Sequence, residues 1–149
     1  ISGSVLHGHT GENVMNYLGA FDNQVSVLPD QSNDILFNWA IPGSKLHSKL
    51  PAFISSWIKP KTFNFNVSMN GGNRAIVPIS SYQEIMPLNI LTTQLLKSLV
   101  TLDIELGEKL GVLELAPEDL ALASYVCPSK YDYQSILYSN LEKMYEEFK

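Results

Sequence analysis

The chain has 149 residues, of which 45% are hydrophobic and 17% are charged, enough to bury a core in one ordinary domain or two small ones. This balance argues against an intrinsically disordered protein. The formal net charge of −5, with only 10 basic residues and no basic stripe, argues against nucleic acid as a partner. The single cysteine excludes an internal disulfide framework and is typical of a reducing compartment.

The sequence predicts neither a membrane span nor a signal peptide. Its most apolar stretch, residues 85–104, is interrupted by Pro87 and by several polar residues, whereas a span needs about 20 continuous apolar residues. The chain begins with Ile1 rather than methionine, and its first six residues already have the pattern of a strand. We therefore expect a segment of a longer protein, with removal of a leader as the alternative.

Strand patterns dominate the first half of the chain. Residues 1–6 alternate as a half-buried strand does, and residues 14–21 and 24–28 are further strand candidates on either side of a turn. Residues 48–58 are a candidate short helix, with Pro51 tolerated in its first turn.

A hairpin is predicted at the end of this half. Residues 63–67 alternate strictly, residues 75–79 are apolar and largely β-branched, and Asn70, Gly71 and Gly72 lie between them. Asn-Gly and Gly-Gly adopt positive φ readily, as a tight reversal requires.

Helix signals replace strand signals near residue 80. Ser81 and Glu84 have the spacing of a capping box for a short helix that ends before Pro87, and Asn89 can cap the next helix. That second helix has five apolar residues on one face: Leu91, Leu95, Leu96, Leu99 and Val100.

Three further helices are predicted. The first covers 103–110 and is closed by Gly111, the second starts at Pro117 and cannot pass Pro128, and the third starts near Asp132. The apolar stripe predicted for the last helix comprises Ile136, Leu137, Leu141, Met144, Tyr145 and Phe148. The predicted fold class is α+β, with a small mixed domain over residues 1–80 and a helical domain over residues 81–149.

Common catalytic and cofactor motifs are missing from the sequence. It contains no GxGxxG or GxxxxGK pattern, and Gly71-Gly72 is not followed by a helix. His7 and His9 could bind zinc or copper, but no third ligand lies nearby, and a solvated loop is the favoured interpretation.

Cys127 and the tyrosines around it are the main chemical candidates. Cys127 could be a thiolate nucleophile if Lys130 lies beside it, although a structural buried cysteine is the simpler interpretation. The neighbouring aromatic residues could line a quinone pocket or a protein interface, or pack in the helical core: Tyr125, Tyr131, Tyr133 and Tyr138.

The segment before Cys127 has the spacing of an iron–sulfur motif. Cys127-Pro128 matches the last pair of the bacterial ferredoxin pattern C-x2-C-x2-C-x3-C-P, whose thiolates hold clusters. The other three ligand positions fall on Pro117, Leu120 and Ala123, none of which can bind iron. We therefore interpret the segment as a ferredoxin-like turn that has lost its cluster.

Three blocks of sequence, in order and spanning nearly the whole chain, resemble one family. The blocks are residues 1–6 with 17–19 and 23–28, residues 70–79 with 84–88, and residues 118–122 with 125–131. The family is NqrA, the A subunit of the sodium-translocating NADH:quinone reductase, and the resemblance is to its C-terminal part.

The resemblance implies a β-grasp (SLBB-like) domain over 1–80, followed by a helical domain related to the cluster-binding domains of the Rnf complex and of the NADH-oxidising subunit of complex I. It further implies a peripheral subunit on the cytoplasmic face of a bacterial inner membrane. Such a subunit would dock on membrane-embedded subunits, chiefly the B subunit, and would be linked to quinone binding. The flavins and the 2Fe-2S centre are expected in other subunits.

The expected function is a docking and scaffold module without a cofactor of its own. The complete complex would be a translocase that passes electrons from NADH to ubiquinone or another quinone and exports Na⁺. A quinone-binding module is the alternative, and an unrelated thiol enzyme using Cys127 is a third hypothesis. The candidate quinone or subunit-interface residues are Tyr125, Cys127, Lys130, Tyr131 and Tyr133.

The chain also departs from the family pattern. Ser129 and Gln134 stand where glycine is usual, and Ala123 stands where many members have a second cysteine. Residues 19–23 lack the expected arginine and histidine. These departures leave the expected fold unchanged but remove any basis for assigning ligand contacts at those positions.

Overall fold

A computed structural model describes residues 1–10, 17–29, 43, 47, 54–58, 62–67, 72, 74–147 and 149. The chain divides into two compact units, one formed by Ile1–Ser26 with Gly71–Lys149 and the other by Val27–Asn70. The division predicted at residue 80 stays a prediction.

Helices make up most of the described part of the first unit, in agreement with the predicted helical domain. Short 3₁₀ helices at Val112–Glu114 and Pro117–Leu120 lie between the α-helices. The α-helices are α1 (Ser81–Ile85), α2 (Thr92–Thr101), α3 (Ile104–Lys109), α4 (Ala121–Val126) and α5 (Tyr133–Glu147).

Local chemistry sets several helix ends as predicted. The carboxylate of Asp103 accepts a hydrogen bond from the Leu106 N–H at 3.1 Å and caps α3. Gly111, with φ +93°, follows that helix in the left-handed conformation that glycine adopts without strain. The helices α1 and α4 end before Pro87 and Pro128.

Two predicted caps are wrong. The Ser81–Glu84 capping box does not form, because α1 follows Ser80, which makes no side-chain cap bond. Asn89 does not cap α2, because backbone turns over residues 88–92 move the helix start to Thr92. At its other end α2 terminates on Leu102, which has φ +56°.

The core of this unit takes buried side chains from α1, α2, α4, α5 and both 3₁₀ helices between them. Leu95, Leu96 and Leu99 of α2 are buried as predicted, but Leu91 is exposed. The predicted stripe of α5 is wrong at Tyr145, which is exposed. Phe148 lies outside the described residues, so its place in the stripe stays a prediction. The side chains of α5 that are fully buried are Tyr133, Leu137, Asn140 and Met144.

Isolated β-bridges hold the N-terminal segment of the first unit, which we define as residues 1–10 and 17–26. Ser2 pairs with both His9 and Val25. Turns at residues 5–7 and 20–21 reverse the chain within a few residues of these pairs, so neither bridge extends into a ladder. No strand forms among the residues that the structure describes, including 63–67 and 75–79 of the predicted hairpin, and the β-grasp fold stays a prediction.

The described residues of the second unit are few. A 3₁₀ helix, Ile54–Ser56, lies within the predicted helix 48–58, whose first six residues fall outside the described ranges. The His47 ring packs against Phe63 at 4.9 Å and against Phe65 at 5.6 Å between centroids.

Candidate functional site: a buried thiol between two tyrosines

Cys127 lies in a tight turn between α4 and α5. Its carbonyl accepts a hydrogen bond from the Lys130 N–H at 3.3 Å, and Lys130 has φ +53°. On the other side of the turn, the Tyr133 N–H donates to Oγ of Ser124 at 3.1 Å. These bonds join the end of α4 to the start of α5 and turn the Cys127 side chain into the core.

Two hydrogen bonds fasten this turn to residues 74–75, and we call them the 74–129 clasp. Arg74 Nη2 donates to the Pro128 carbonyl at 3.3 Å, and Ser129 Oγ donates to the Ala75 carbonyl at 2.8 Å. Ser129 is itself buried. The clasp therefore positions the segment before α1 against the cysteine turn.

Three buried polar side chains meet at this turn and form what we call the thiol cluster: Tyr82, Cys127 and Tyr133. All three are fully buried. The Tyr133 hydroxyl lies 3.6 Å from the Cys127 sulfur and 3.4 Å from the Tyr82 hydroxyl. The two tyrosine rings are perpendicular, with centroids 6.3 Å apart, an edge-to-face arrangement that aromatic pairs prefer.

The environment changes the acidity of each member of the thiol cluster. Burial, followed by the hydrogen bond with Cys127, raises the pKa of Tyr82 to about 12. Burial likewise raises the pKa of Tyr133. Burial alone would raise the pKa of the Cys127 thiol, but hydrogen bonds from the two hydroxyls and from the Tyr131 and Ser129 backbones outweigh it and lower that pKa.

The side chains of Tyr125 and Lys130 form the more accessible edge of the site. Lys130 Nζ donates to the Tyr125 carbonyl at 2.8 Å and lies 5.9 Å from the centroid of the Tyr125 ring. Burial lowers the pKa of Lys130. An ammonium and an aromatic ring at one edge could bind an aromatic carbonyl compound or a protein side chain.

The structure places the five predicted site residues close to one another, but their side chains differ in exposure to solvent. Cys127 and Tyr133 are buried, Tyr131 packs its ring 5.9 Å from that of Tyr133, and Tyr125 is partly exposed. Sequence reasoning missed Tyr82, which lies 51 residues before Tyr133. Its only sequence signal was an aromatic residue at the start of a predicted helix.

The other features considered from the sequence were a metal site at His7 and His9 and a membrane span. Across the described ranges, no group of three or more His, Cys, Asp and Glu side chains is placed to hold a metal ion. His9 takes part in a backbone bridge with Ser2. The backbone N–H of His7 donates to Ser4 Oγ within a turn. Within the same ranges, no helix is long and apolar enough to cross a membrane.

Comparison with known proteins identifies relatives, although no protein-family model matches the chain. The A subunit of the Na(+)-translocating NADH-quinone reductase of Psychromonas ingrahamii is 50% identical over 147 residues, which is 99% of this chain. The same subunit is 48% identical in Teredinibacter turnerae and 44% identical in Neisseria meningitidis serogroup B, each over 99% of this chain.

The chain spans about a third of the length of these curated relatives, 33% in each case. A match that covers nearly all of one chain and a third of the other is what a segment of a longer subunit gives. The three sequence blocks and this extended identity agree, and the chain therefore belongs to the NqrA family, the A subunits of Na(+)-translocating NADH-quinone reductases.

Proposed function

We propose that this chain is a non-catalytic docking and scaffold part of NqrA, within a complex that passes electrons from NADH to quinone and exports Na⁺. The observation that carries the proposal is the packing around Cys127. Two tyrosine rings lie beside the only thiol of the chain, and all three side chains are fully buried.

The positions where a ferredoxin would place its other ligands support this proposal. Leu120 and Ala123 are fully buried and apolar, so neither has a side-chain donor atom for iron. A cluster needs four ligands, normally thiolates, and this segment supplies one. The helical domain then supplies surface on which other subunits dock, while the flavins and the 2Fe-2S centre lie in those other subunits.

The proposal includes the domain plan and the place of the subunit. Residues 1–80 correspond to a β-grasp domain and residues 81–149 to a helical domain. The subunit lies peripherally on the cytoplasmic face of the membrane, with the membrane-embedded B subunit as its chief partner. This part of the proposal is supported by the family resemblance and by the identity to relatives named as one subunit of the reductase.

The test uses complete NqrA prepared without oxygen. We expect it to bind immobilised membrane subunits and to contain far less than one iron atom per chain. Brown protein with stoichiometric iron that a Cys127→Ala substitution removes would contradict the scaffold assignment. Failure of wild-type NqrA to bind the membrane subunits at any salt concentration would contradict docking.

Quinone binding is the second candidate, favoured by the accessible ring of Tyr125 beside the Lys130 ammonium. A short-chain quinone should then shift the NMR signals of Tyr125 and Tyr131 in complete NqrA. Shifts confined to other parts of the protein would assign quinone binding elsewhere.

A further inference from the structure

One flank of α5 exposes two tyrosines that the core does not use. Tyr138 is 55% exposed and Tyr145 is 70% exposed. They are seven residues apart, or nearly two helical turns, so both lie on the same side of the helix. Leu141 lies between them along this flank and is partly buried against the core. We call this surface the tyrosine flank.

The N-terminal segment reaches α5 one turn before Tyr138. Gln134, four residues before Tyr138, donates from Nε2 to the Leu6 carbonyl at 3.3 Å. Val5 and Leu6 are themselves substantially exposed. Exposed apolar side chains therefore occur both on the tyrosine flank and in the segment that is hydrogen-bonded to the start of α5.

The outer border of the tyrosine flank is acidic. At about 100° per residue, Glu142 lies roughly 40–60° from the two tyrosines and Glu146 roughly 80–100° away, and both side chains are exposed. Lys143 lies about 140–160° away by the same geometry, toward the other side of the helix. Within α5, the charged side chains nearest the tyrosines are therefore acidic, and the exposed Lys149 follows the end of the helix.

We propose that the tyrosine flank is a docking surface for a polypeptide segment of another subunit that carries lysine or arginine beside apolar side chains. Tyrosine supplies large contact area with a polar tip and is enriched among the residues that dominate binding energy. Charge complementarity selects the occupant, because Glu142 and Glu146 attract a basic segment and repel the same acidic flank of a second copy. This inference rests on the docking function proposed above and names where docking occurs.

The test uses complete NqrA that carries both Tyr138→Ala and Tyr145→Ala, and compares its binding to the membrane subunits with that of wild-type NqrA. Loss of two such side chains should raise the dissociation constant from the membrane subunits about thirtyfold. Leu113→Ala is the matched control, because Leu113 is also 55% exposed but lies in the 3₁₀ helix Val112–Glu114. It should bind as the wild type does.

Charge reversal tests the choice of partner. Glu142→Lys with Glu146→Lys should weaken binding about tenfold and reduce its sensitivity to salt, whereas Lys143→Ala should change neither. Wild-type affinity in the double tyrosine variant, with an unchanged far-UV circular dichroism spectrum, would overturn the proposed surface. Dimerisation of free NqrA that the tyrosine substitutions abolish would overturn the proposed occupant. If wild-type NqrA does not bind at all, it is the docking function that fails.

Discussion

The helical part of the first unit and the N-terminal segment are held together by different means. Between residues 81 and 147, leucines such as Leu96 and Leu137 are fully buried, and the core is continuous across α2 and α5. In the N-terminal segment, Tyr17, Phe21 and Val25 remain exposed. The comparison indicates that burial of apolar area stabilises the helices, whereas backbone hydrogen bonds and close approaches hold the segment.

The close approaches in the N-terminal segment depend on glycine. A Cβ at Gly8 would lie 2.3 Å from the Ser2 carbonyl oxygen and 2.5 Å from that of Ser4. These same carbonyls accept the His9 and Gly8 N–H groups. The two regions should therefore respond to different substitutions.

Removal of a core side chain should have the largest effect. Leu137→Ala should lower the free energy of unfolding of the helical part by about 3 kcal/mol, because it removes buried contacts and leaves a cavity. Urea unfolding followed by far-UV circular dichroism measures the change. Leu113→Ala, at an exposed position, should change that free energy by less than about 0.5 kcal/mol. Equal losses would contradict the assigned core.

A methyl group at Gly8 should affect only the N-terminal segment. Gly8→Ala should cost about 2 kcal/mol in that segment, because the added carbon collides with backbone rather than with a flexible side chain. Hydrogen exchange at the Ser2 and His9 amides should accelerate while the amide of Leu99 keeps its protection. Gly72→Ala is the control, since a Cβ there meets no atom within 4 Å. An equal loss of protection in α2 would show that the two regions unfold together.

Alkaline pH should destabilise the helical part through Tyr82 and Tyr133, the two buried tyrosines of the thiol cluster. The pKa of Tyr82 is about 12 when folded and 10.0 in the absence of the fold, so the unfolded chain releases this proton first. Between these values, each such tyrosine lowers the free energy of unfolding by about 1.4 kcal/mol per pH unit. Below pH 10 the effect is absent.

Tyr82→Phe tests the contribution of this buried tyrosine. It should flatten the decline in the free energy of unfolding above pH 10 by about one proton's contribution. A slope that does not respond to Tyr82→Phe would mean that other groups dominate alkaline unfolding.

The smallest expected effect concerns the end of α2. Leu102 has φ +56°, a conformation that disfavours any residue with a Cβ. Leu102→Gly should be more stable than Leu102→Ala by about 0.5 kcal/mol, since relief of strain exceeds the entropy that glycine loses. Thermal unfolding of the two variants gives the difference. Greater stability of the alanine variant would contradict the left-handed conformation.

Sequence predicts those helix ends that depend on neighbouring residues. Pro87, Asp103, Gly111 and Pro128 act on their own turn of the chain, and the helices end or begin beside them as expected. The prediction fails where the outcome depends on distant residues. The exposure of Tyr145 and the burial of Asn140, whose amide donates to the Leu99 carbonyl at 3.1 Å, depend on packing across the core.

The candidate site shows the same limit. The Cys127-Pro128 turn and its nearby tyrosines can be found from sequence spacing alone. Tyr82 could not be found in that way, because its partner Tyr133 is 51 residues distant. Two of the departures from the family pattern make contacts that sequence could not show: Ser129 bonds to Ala75, and Gln134 bonds to Leu6.

The 74–129 clasp also has a consequence during protein synthesis. Ser129 and the carbonyl of Ala75 are 54 residues apart, and at about 5–20 residues per second a ribosome needs roughly 3–11 seconds to add that many. For that time the apolar run from Ala75 to Ile79 lacks the bonds that fasten it. Pro78 interrupts the run, and a proline at such a place discourages pairing with other nascent chains.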